Sequence, residues 1–452
     1  MALQPKTVSL TEWDSVRLDY DAKLNGGITR EQALSIPVEA LKGKVKIRPR
    51  LDGLEIETSS FVGRVDLGPL RLVIRPKIHK LPLTTLLRYA YSLRELSILD
   101  ESETQTAEYA LQDLLVSLLV AEVEELVHRG LTRAYVPLAT DLESLRGRID
   151  FNALGRAGGV RKAQLPCHYF ERRTDGLLNQ VLRAGLDLAA GMASDHDLRR
   201  VVHRLAARFA DVRALPFLNA SHLDRAEQSL TRLTDSYGPA LTLVRLLLDM
   251  QGVDLEVGRA SRTPGFLFDM NAFYQRLLSR FFHENLVGWR IEDEHKLRSV
   301  YSYAPKANPR RRRPPMPRPD FALFHKDGLH GFLDAKYRDA WALDIPAHWL
   351  YQLSIYAFAS PSRVSVLLYA TMHDEATDQQ IDVRHPLSGQ EDGSAASVIL
   401  RPIHLGRLAT LVAPQRGNSV AADRQAFARE SVQLSAHKAN IAIVQSRLEL
   451  SR

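Results

Sequence analysis

The hydrophobic pattern of this chain changes period twice, and that excludes a single uniform architecture. In the first hundred residues it is strand-like: Lys44-Val45-Lys46-Ile47-Arg48 alternates charged and apolar side chains, as a half-exposed strand does. FVGRVDLGPLRLVIRPKI at 61–78 reads as a hairpin. Gly63 and Gly68-Pro69 punctuate it, the turn falls near Gly68, and Pro76 ends the second strand because it cannot donate to a ladder. A short helix follows over 86–98. From about residue 103, Leu111, Leu114, Leu115, Leu118, Leu119 and Val123 trace a helical stripe that Gly130 stops. Arg146-Gly147-Arg148 turns into a strand, and the text from 175 to 250 is almost wholly helical. A change of texture at 258–264 marks a boundary. Beyond it the order is helix, strand, basic loop, strand, turn, strand, helix, strand, over 269–286, 289–302, 319–325, 329–337, 346–359 and 363–370. One more strand is expected at 397–403, and nothing is read from 410 onward. The whole is an α+β multidomain chain: β-rich over 1–102, a mainly helical connecting region over 103–258, an α/β core over 259–375, and a C-terminal extension over 376–452.

A length of 452 residues exceeds one ordinary core, which agrees with several domains. Sixty basic against fifty-three acidic side chains leave a net charge of +7, compatible with a polyanionic partner. Cys167 is the one cysteine, so an internal disulfide and a cysteine zinc cluster are excluded, and a reducing cytoplasmic setting is expected. The scattered histidines suggest no zinc. The first residues lack the order of a secretion signal. The most apolar stretch, 110–127, is interrupted by Asp113, Glu122, Glu124 and Glu125, so it reads as a buried helix and no membrane span is expected.

The chemistry concentrates in PDFALFHKDGLHGFLDAKY, residues 319–337. Two apolar runs flank the turn at Lys326-Asp327-Gly328, so Asp320 at the start of one strand can lie beside Asp334 near the end of the other. Asp334 and Lys336 are two apart and project from one face. Two carboxylates and an ammonium at one point suit Mg2+, a hard cation that takes oxygen ligands and keeps several waters. Asp320, Asp334 and the main-chain carbonyl of Ala335 are the expected ligands, with Lys336 orienting a water and stabilising charge on a phosphate. Gln352 and Tyr356 lie four apart on the next helix, share a face and would support the site. Just upstream, KANPRRRRPPMPRP cannot pack regularly. It reads as a solvated loop whose Arg310, Arg311, Arg312 and Arg313 contact DNA phosphates without sequence preference.

Taken in order, SLTEWDS, FVGRVDLGPLRLVIRPKI, RGRIDF, YFERRTDGLLNQVL, DMNAFYQRLL, PDFALF with FLDAKY, and YQLSIYAF resemble the McrC family, the nuclease subunit of modification-dependent, 5-methylcytosine-specific McrBC restriction systems. The resemblance covers most of residues 10–370. It implies a C-terminal PD-(D/E)xK nuclease fold in which Asp320, Asp334 and Lys336 are the catalytic set and Gln352 the helix glutamine. It also implies an N-terminal domain that docks into a ring of McrB, a GTP-hydrolysing AAA+ partner, with double-stranded DNA carrying modified cytosine as substrate. The chain has no GxxxxGK[ST] phosphate loop, so GTP is expected on the partner. The strand-rich 61–78 region is the candidate docking surface. One departure stands out: Gln275 occupies the position where family members tend to carry glutamate. The competing expectations are a non-catalytic adaptor that only activates an AAA+ ring NTPase, and a nuclease with a different partner and trigger.

Overall fold

Alternation of buried and exposed side chains builds the first two sheets of the computed structural model. It is described here over residues 6–20, 29–34, 36, 41, 43–67, 70–76, 82–93, 110–156, 163–250, 265–326, 328–384, 394–414 and 418–435. The chain opens with β1 (Lys6–Thr11), β2 (Ser15–Asp19), the short α1 (Arg30–Leu34), β3 (Val45–Pro49), β4 (Gly53–Thr58), β5 (Phe61–Asp66) and β6 (Leu70–Arg75). In β3, Val45 and Ile47 are buried while Lys46 and Arg48 are exposed. β2, β4 and β3 form one three-stranded sheet. β5 and β6 form the expected antiparallel hairpin. The turn near Gly68 lies outside the described residues, as does the 258–264 boundary.

Both edges of that hairpin are paired within the chain. β1 runs parallel to β6 on one side, and β10 (Gly265–Asp269) pairs antiparallel with β5 on the other. Val62, Val65, Leu70, Leu72 and Ile74 are all buried. A strand from beyond residue 258 thus completes the sheet begun by the first seventy-five residues.

The middle of the chain contains α2 (Leu83–Ala90), α3 (Ala110–Arg129), β7 (Ala134–Leu142), β8 (Arg148–Ile149), α4 (Phe151–Arg156), β9 (Leu165–Arg173), α5 (Leu177–Met192), α6 (His196–Ala206), α7 (Ala220–Gln228) and α8 (Gly238–Met250). The helices follow the apolar stripe read from sequence, with Leu115, Leu118, Leu119 and Val123 in the core. Gly130, at φ +91°, ends α3. The three-stranded sheet β7-β9-β8 departs from the expectation of a mainly helical segment. No residue of β7 is buried, so a nine-residue backbone ladder exists there without the apolar period that announces a strand, and Pro137 in its centre reads as a breaker.

The C-terminal elements are α9 (Met270–Asn285), β11 (Trp289–Asp293), β12 (Phe321–His325), β13 (Gly328–Lys336), α10 (Ala347–Ala359), β14 (Val364–Thr371), β15 (Gln379–Arg384), β16 (Ser394–His404), α11 (Leu405–Val412) and α12 (Asn418–Val432). Their six-stranded sheet has the order β11-β12-β13-β14-β16-β15, with β13, β14 and β16 parallel. β11 stops at Asp293 instead of running to 302. β15, α11 and α12 have no counterpart in the sequence reading. Leu333, Ala335, Val366 and Leu368 face the core shared with α9, whereas Phe332, Leu367 and Tyr369 pack with Leu353 and Tyr356 of α10. By the same alternation Asp334 and Lys336 lie on the α10 side.

Candidate active site

The β12–β13 register decides the site. Phe321 pairs with Leu333, so Asp320, one residue before the first pair, stands beside Asp334, one residue after it. Asp320 Oδ2 accepts the Ala335 N–H at 2.7 Å, and Lys336 Nζ donates to Asp334 Oδ2 at 2.7 Å. The three groups singled out in the sequence are therefore gathered within one strand end. Asp334 is 2 % exposed and Lys336 18 %. Beyond β12, Glu294 donates its amide to the Asp320 carbonyl at 2.8 Å.

Burial and mutual repulsion dominate the electrostatics. Burial, then the Asp334 charge, push the Asp320 carboxyl up to about 7, against the pull of Lys336 and the Ala335 amide. Burial likewise raises the Asp334 carboxyl, with Lys336 opposing. Burial works against the Lys336 ammonium, but Asp334 and Asp320 outweigh it and hold it above the usual lysine value. The Oδ1 of Asp334 is buried with no hydrogen-bond partner among the described residues. A buried carboxylate oxygen left unpaired is costly, and a cation satisfies it.

Among the described residues no three histidine, cysteine, aspartate or glutamate side chains converge as a metal cluster. Two carboxylates, one with a free buried oxygen, suit an ion such as Mg2+ that keeps most of its waters.

α10 supports this corner. The Gln352 amide donates to the Tyr356 hydroxyl at 2.7 Å. Tyr356 is buried, and its phenol is raised by that burial and by the fields of Asp334 and Asp320, while the Arg318 amide bonds its oxygen. Gln275 lies on α9, partly buried, and among the described residues no hydrogen bond joins it to the acidic pair. Arg310, Arg311, Arg312 and Arg313 are exposed. Asn308 organises their loop: its Oδ1 accepts the Arg312 amide at 2.8 Å and its Nδ2 donates to the Arg312 carbonyl at 2.8 Å.

Three contributors escaped the sequence reading. Glu294, at φ +51°, adds to the rise of the Asp320 carboxyl and pairs with Arg318 at 2.8 Å. Its place became visible only once β11 ended at Asp293; the Glu292-Asp293-Glu294 run was the available signal. Asn271 Oδ1 accepts the Tyr337 amide at 2.9 Å and fixes the strand end just past Lys336. Trp349 places its ring 5.9 Å from Lys336 Nζ.

The model of the McrBC 5-methylcytosine restriction system component family matches residues 56–370, a span that contains every one of these site residues. The chain belongs to the McrBC family. Among solved structures, a chain of the Thermococcus gammatolerans half-complex of McrB AAA+ hexamers with bound McrC superposes with a TM-score of 0.60 at 18 % identity, covering 94 % of this chain and 99 % of that one. A chain of the T. gammatolerans McrBC complex matches with a TM-score of 0.43 at 21 % identity, over 63 % and 89 %. No curated protein matches. At these identities the first likeness is one of fold. Among the described residues no helix of this McrBC family member is long and apolar enough to cross a membrane.

Proposed function

We propose that this chain is the endonuclease subunit of a modification-dependent restriction complex, hydrolysing DNA phosphodiester bonds with Mg2+ on a PD-(D/E)xK core. One observation carries the reading: Asp320, Asp334 and Lys336 converge at one strand end while the buried Asp334 Oδ1 has no partner. A bound Mg2+ would polarise the scissile phosphate and lower the pKa of a water. Asp320 and Asp334 would hold it, with the Ala335 carbonyl between them. Asp320 is kept in place by the Ala335 amide. The Lys336 ammonium, which pairs with Asp334, would donate to a phosphate oxygen and to the attacking water and offset charge that develops on phosphorus. The arginine loop just before Asp320 would meet backbone phosphates next to the cut.

Family membership supports a ring partner. The T. gammatolerans half-complex holds McrB AAA+ hexamers with bound McrC, and we extend that assembly to this chain, with GTP bound and hydrolysed by the partner. The test is cleavage of methylated and unmethylated plasmid with Mg2+, GTP and the AAA+ partner. Wild type is expected to cut methylated plasmid, and Asp334→Ala to lose cutting at least a thousandfold while its circular dichroism and its stimulation of GTP hydrolysis persist. Full cutting by that variant removes the catalytic assignment. Stimulated hydrolysis with intact plasmid in the wild type leaves an adaptor.

A further inference from the structure

The β1–β2 turn, more than three hundred residues before the acidic strand in sequence, reaches the site's edge. Its central residue, Trp13, sits at φ +56°, a left-handed conformation that is strained for a bulky residue and persists only where neighbours fix it. They do so here. The buried Thr58 hydroxyl has its one proton within reach of the carbonyls of Thr11 at 2.7 Å and Asp14 at 3.0 Å and accepts the Asp14 amide at 2.8 Å. The Thr58 amide reaches the Asp14 carbonyl at 2.9 Å.

The turn so held presents the Trp13 indole edge-to-face to Trp349, with ring centroids 6.4 Å apart at 84°. The Arg338 guanidinium lies 5.7 Å from the centre of each of the two rings. Trp349 in turn is the aromatic wall 5.9 Å from Lys336 Nζ. A continuous stack therefore runs from the N-terminal sheet to the lysine. Neither the Trp13 Nε1 nor the Arg338 Nε has an acceptor among the described residues; the Arg338 Nη2 donates to the Asp344 carbonyl at 3.2 Å, and ring packing and charge join Arg338 to the two indoles.

We propose that Trp13 is a positioning residue for the nuclease centre: by fixing Trp349 and Arg338 it sets the wall against which Lys336 is aimed. The proposal rests on the nuclease reading above. It makes the N-terminal sheet, through one ring, part of the cutting geometry. A lysine misplaced by about 1 Å costs on the order of a hundredfold in rate, so removing the ring is expected to lower cutting by at least about tenfold.

The experiment uses the full chain with its AAA+ partner, GTP, Mg2+ and methylated plasmid. Trp13→Ala is expected to lower kcat for cutting at least about tenfold, with KM for DNA, melting temperature and stimulated GTP hydrolysis unchanged. Trp13→Phe, which keeps an aromatic edge, should recover most of the rate. In protein labelled with 5-fluorotryptophan, the Trp349 fluorine resonance, assigned with Trp349→Phe, should move in Trp13→Ala without DNA or metal. Undiminished cutting by Trp13→Ala, or an unmoved Trp349 resonance in a wild type that cuts, overturns this proposal alone. Joint loss of cutting, GTP stimulation and melting temperature makes Trp13 a folding residue and also overturns it. A wild type that never cuts, while stimulating its partner, overturns the nuclease reading and this inference with it.

Discussion

Asp320 and Asp334 are poor neighbours without a cation, and that gives the acidic pair a stability signature separable from catalysis. Burial and the Asp334 charge raise the Asp320 carboxyl to about 7, so near neutral pH the metal-free fold carries a repulsion that an amide would remove. Asp320→Asn keeps an oxygen to accept the Ala335 amide and removes one like charge. In EDTA its melting temperature should rise by roughly 2–4 °C per kcal/mol relieved. Millimolar Mg2+ should stabilise the wild type, because it binds the folded state, and leave Asp320→Asn unmoved. Scanning fluorimetry with and without Mg2+ reads both effects, and an undiminished Mg2+ shift in the variant takes Asp320 out of the ligand set. At this scale the sequence was informative wherever chemistry follows strand periodicity. Asp334 and Lys336 share a face because they are two apart, and Asp320 follows from the hairpin's length. Glu294 and Trp13 were hidden, because the first depends on where a strand stops and the second on packing between distant segments.

Among the elements, those with a buried face were the legible ones. α9, β12, β13, α10 and β14 begin and end within a residue or two of their expected positions, since the helices bury a regular stripe and the strands are continuous apolar runs buried on both faces. β7 and β9 were missed because their ladder buries almost nothing. β15 was missed because a short edge strand alternating Gln, Ile, Asp and Val does not differ in texture from the polar turns around it. The arginine loop was foreseen as solvated, and it is exposed, but Asn308 gives it a defined turn. That turn displays Arg310 to Arg313 without spending ion pairs on them: among the described residues no salt bridge engages any of the four. Each arginine that neutralises a phosphate steepens the dependence of log K on log salt by about 0.9 on duplex DNA. Replacing all four by alanine should therefore flatten the slope by roughly 2–4 and weaken binding equally for methylated and unmethylated duplexes. Fluorescence anisotropy across a salt series measures this, and an unchanged slope would place the loop away from the DNA.

For the whole molecule, the decisive feature is a large hydrophobic cluster that draws on elements from several of the segments distinguished by texture. Leu115 and Leu119 of α3, Leu182 of α5, Phe281 of α9, Val366 of β14 and Phe427 of α12 all belong to it. Phe427 packs edge-on against Phe281 with centroids 5.7 Å apart, so the C-terminal extension is part of the body that carries the acidic pair. One residue fastens it. Arg401 of β16, 2 % exposed, bonds both oxygens of Asp378 and donates to the carbonyls of Glu430 at 3.0 Å, Gln433 at 2.6 Å and Ser435 at 2.9 Å. It thus caps the C-terminal end of α12 while pairing a buried acid. Removing one partner of a buried ion pair costs about 3–5 kcal/mol, so Arg401→Ala should lower the melting temperature by several degrees and open α12 to limited proteolysis. If the cost lies in the lost charge pairing, Arg401→Met with Asp378→Leu should melt closer to wild type than Arg401→Ala does. If it lies in the lost cap, the double variant should melt normally but still lose α12 to protease. The two assays together separate charge burial from helix capping, and a protease-resistant Arg401→Ala would mean that Phe427 alone holds the extension in place.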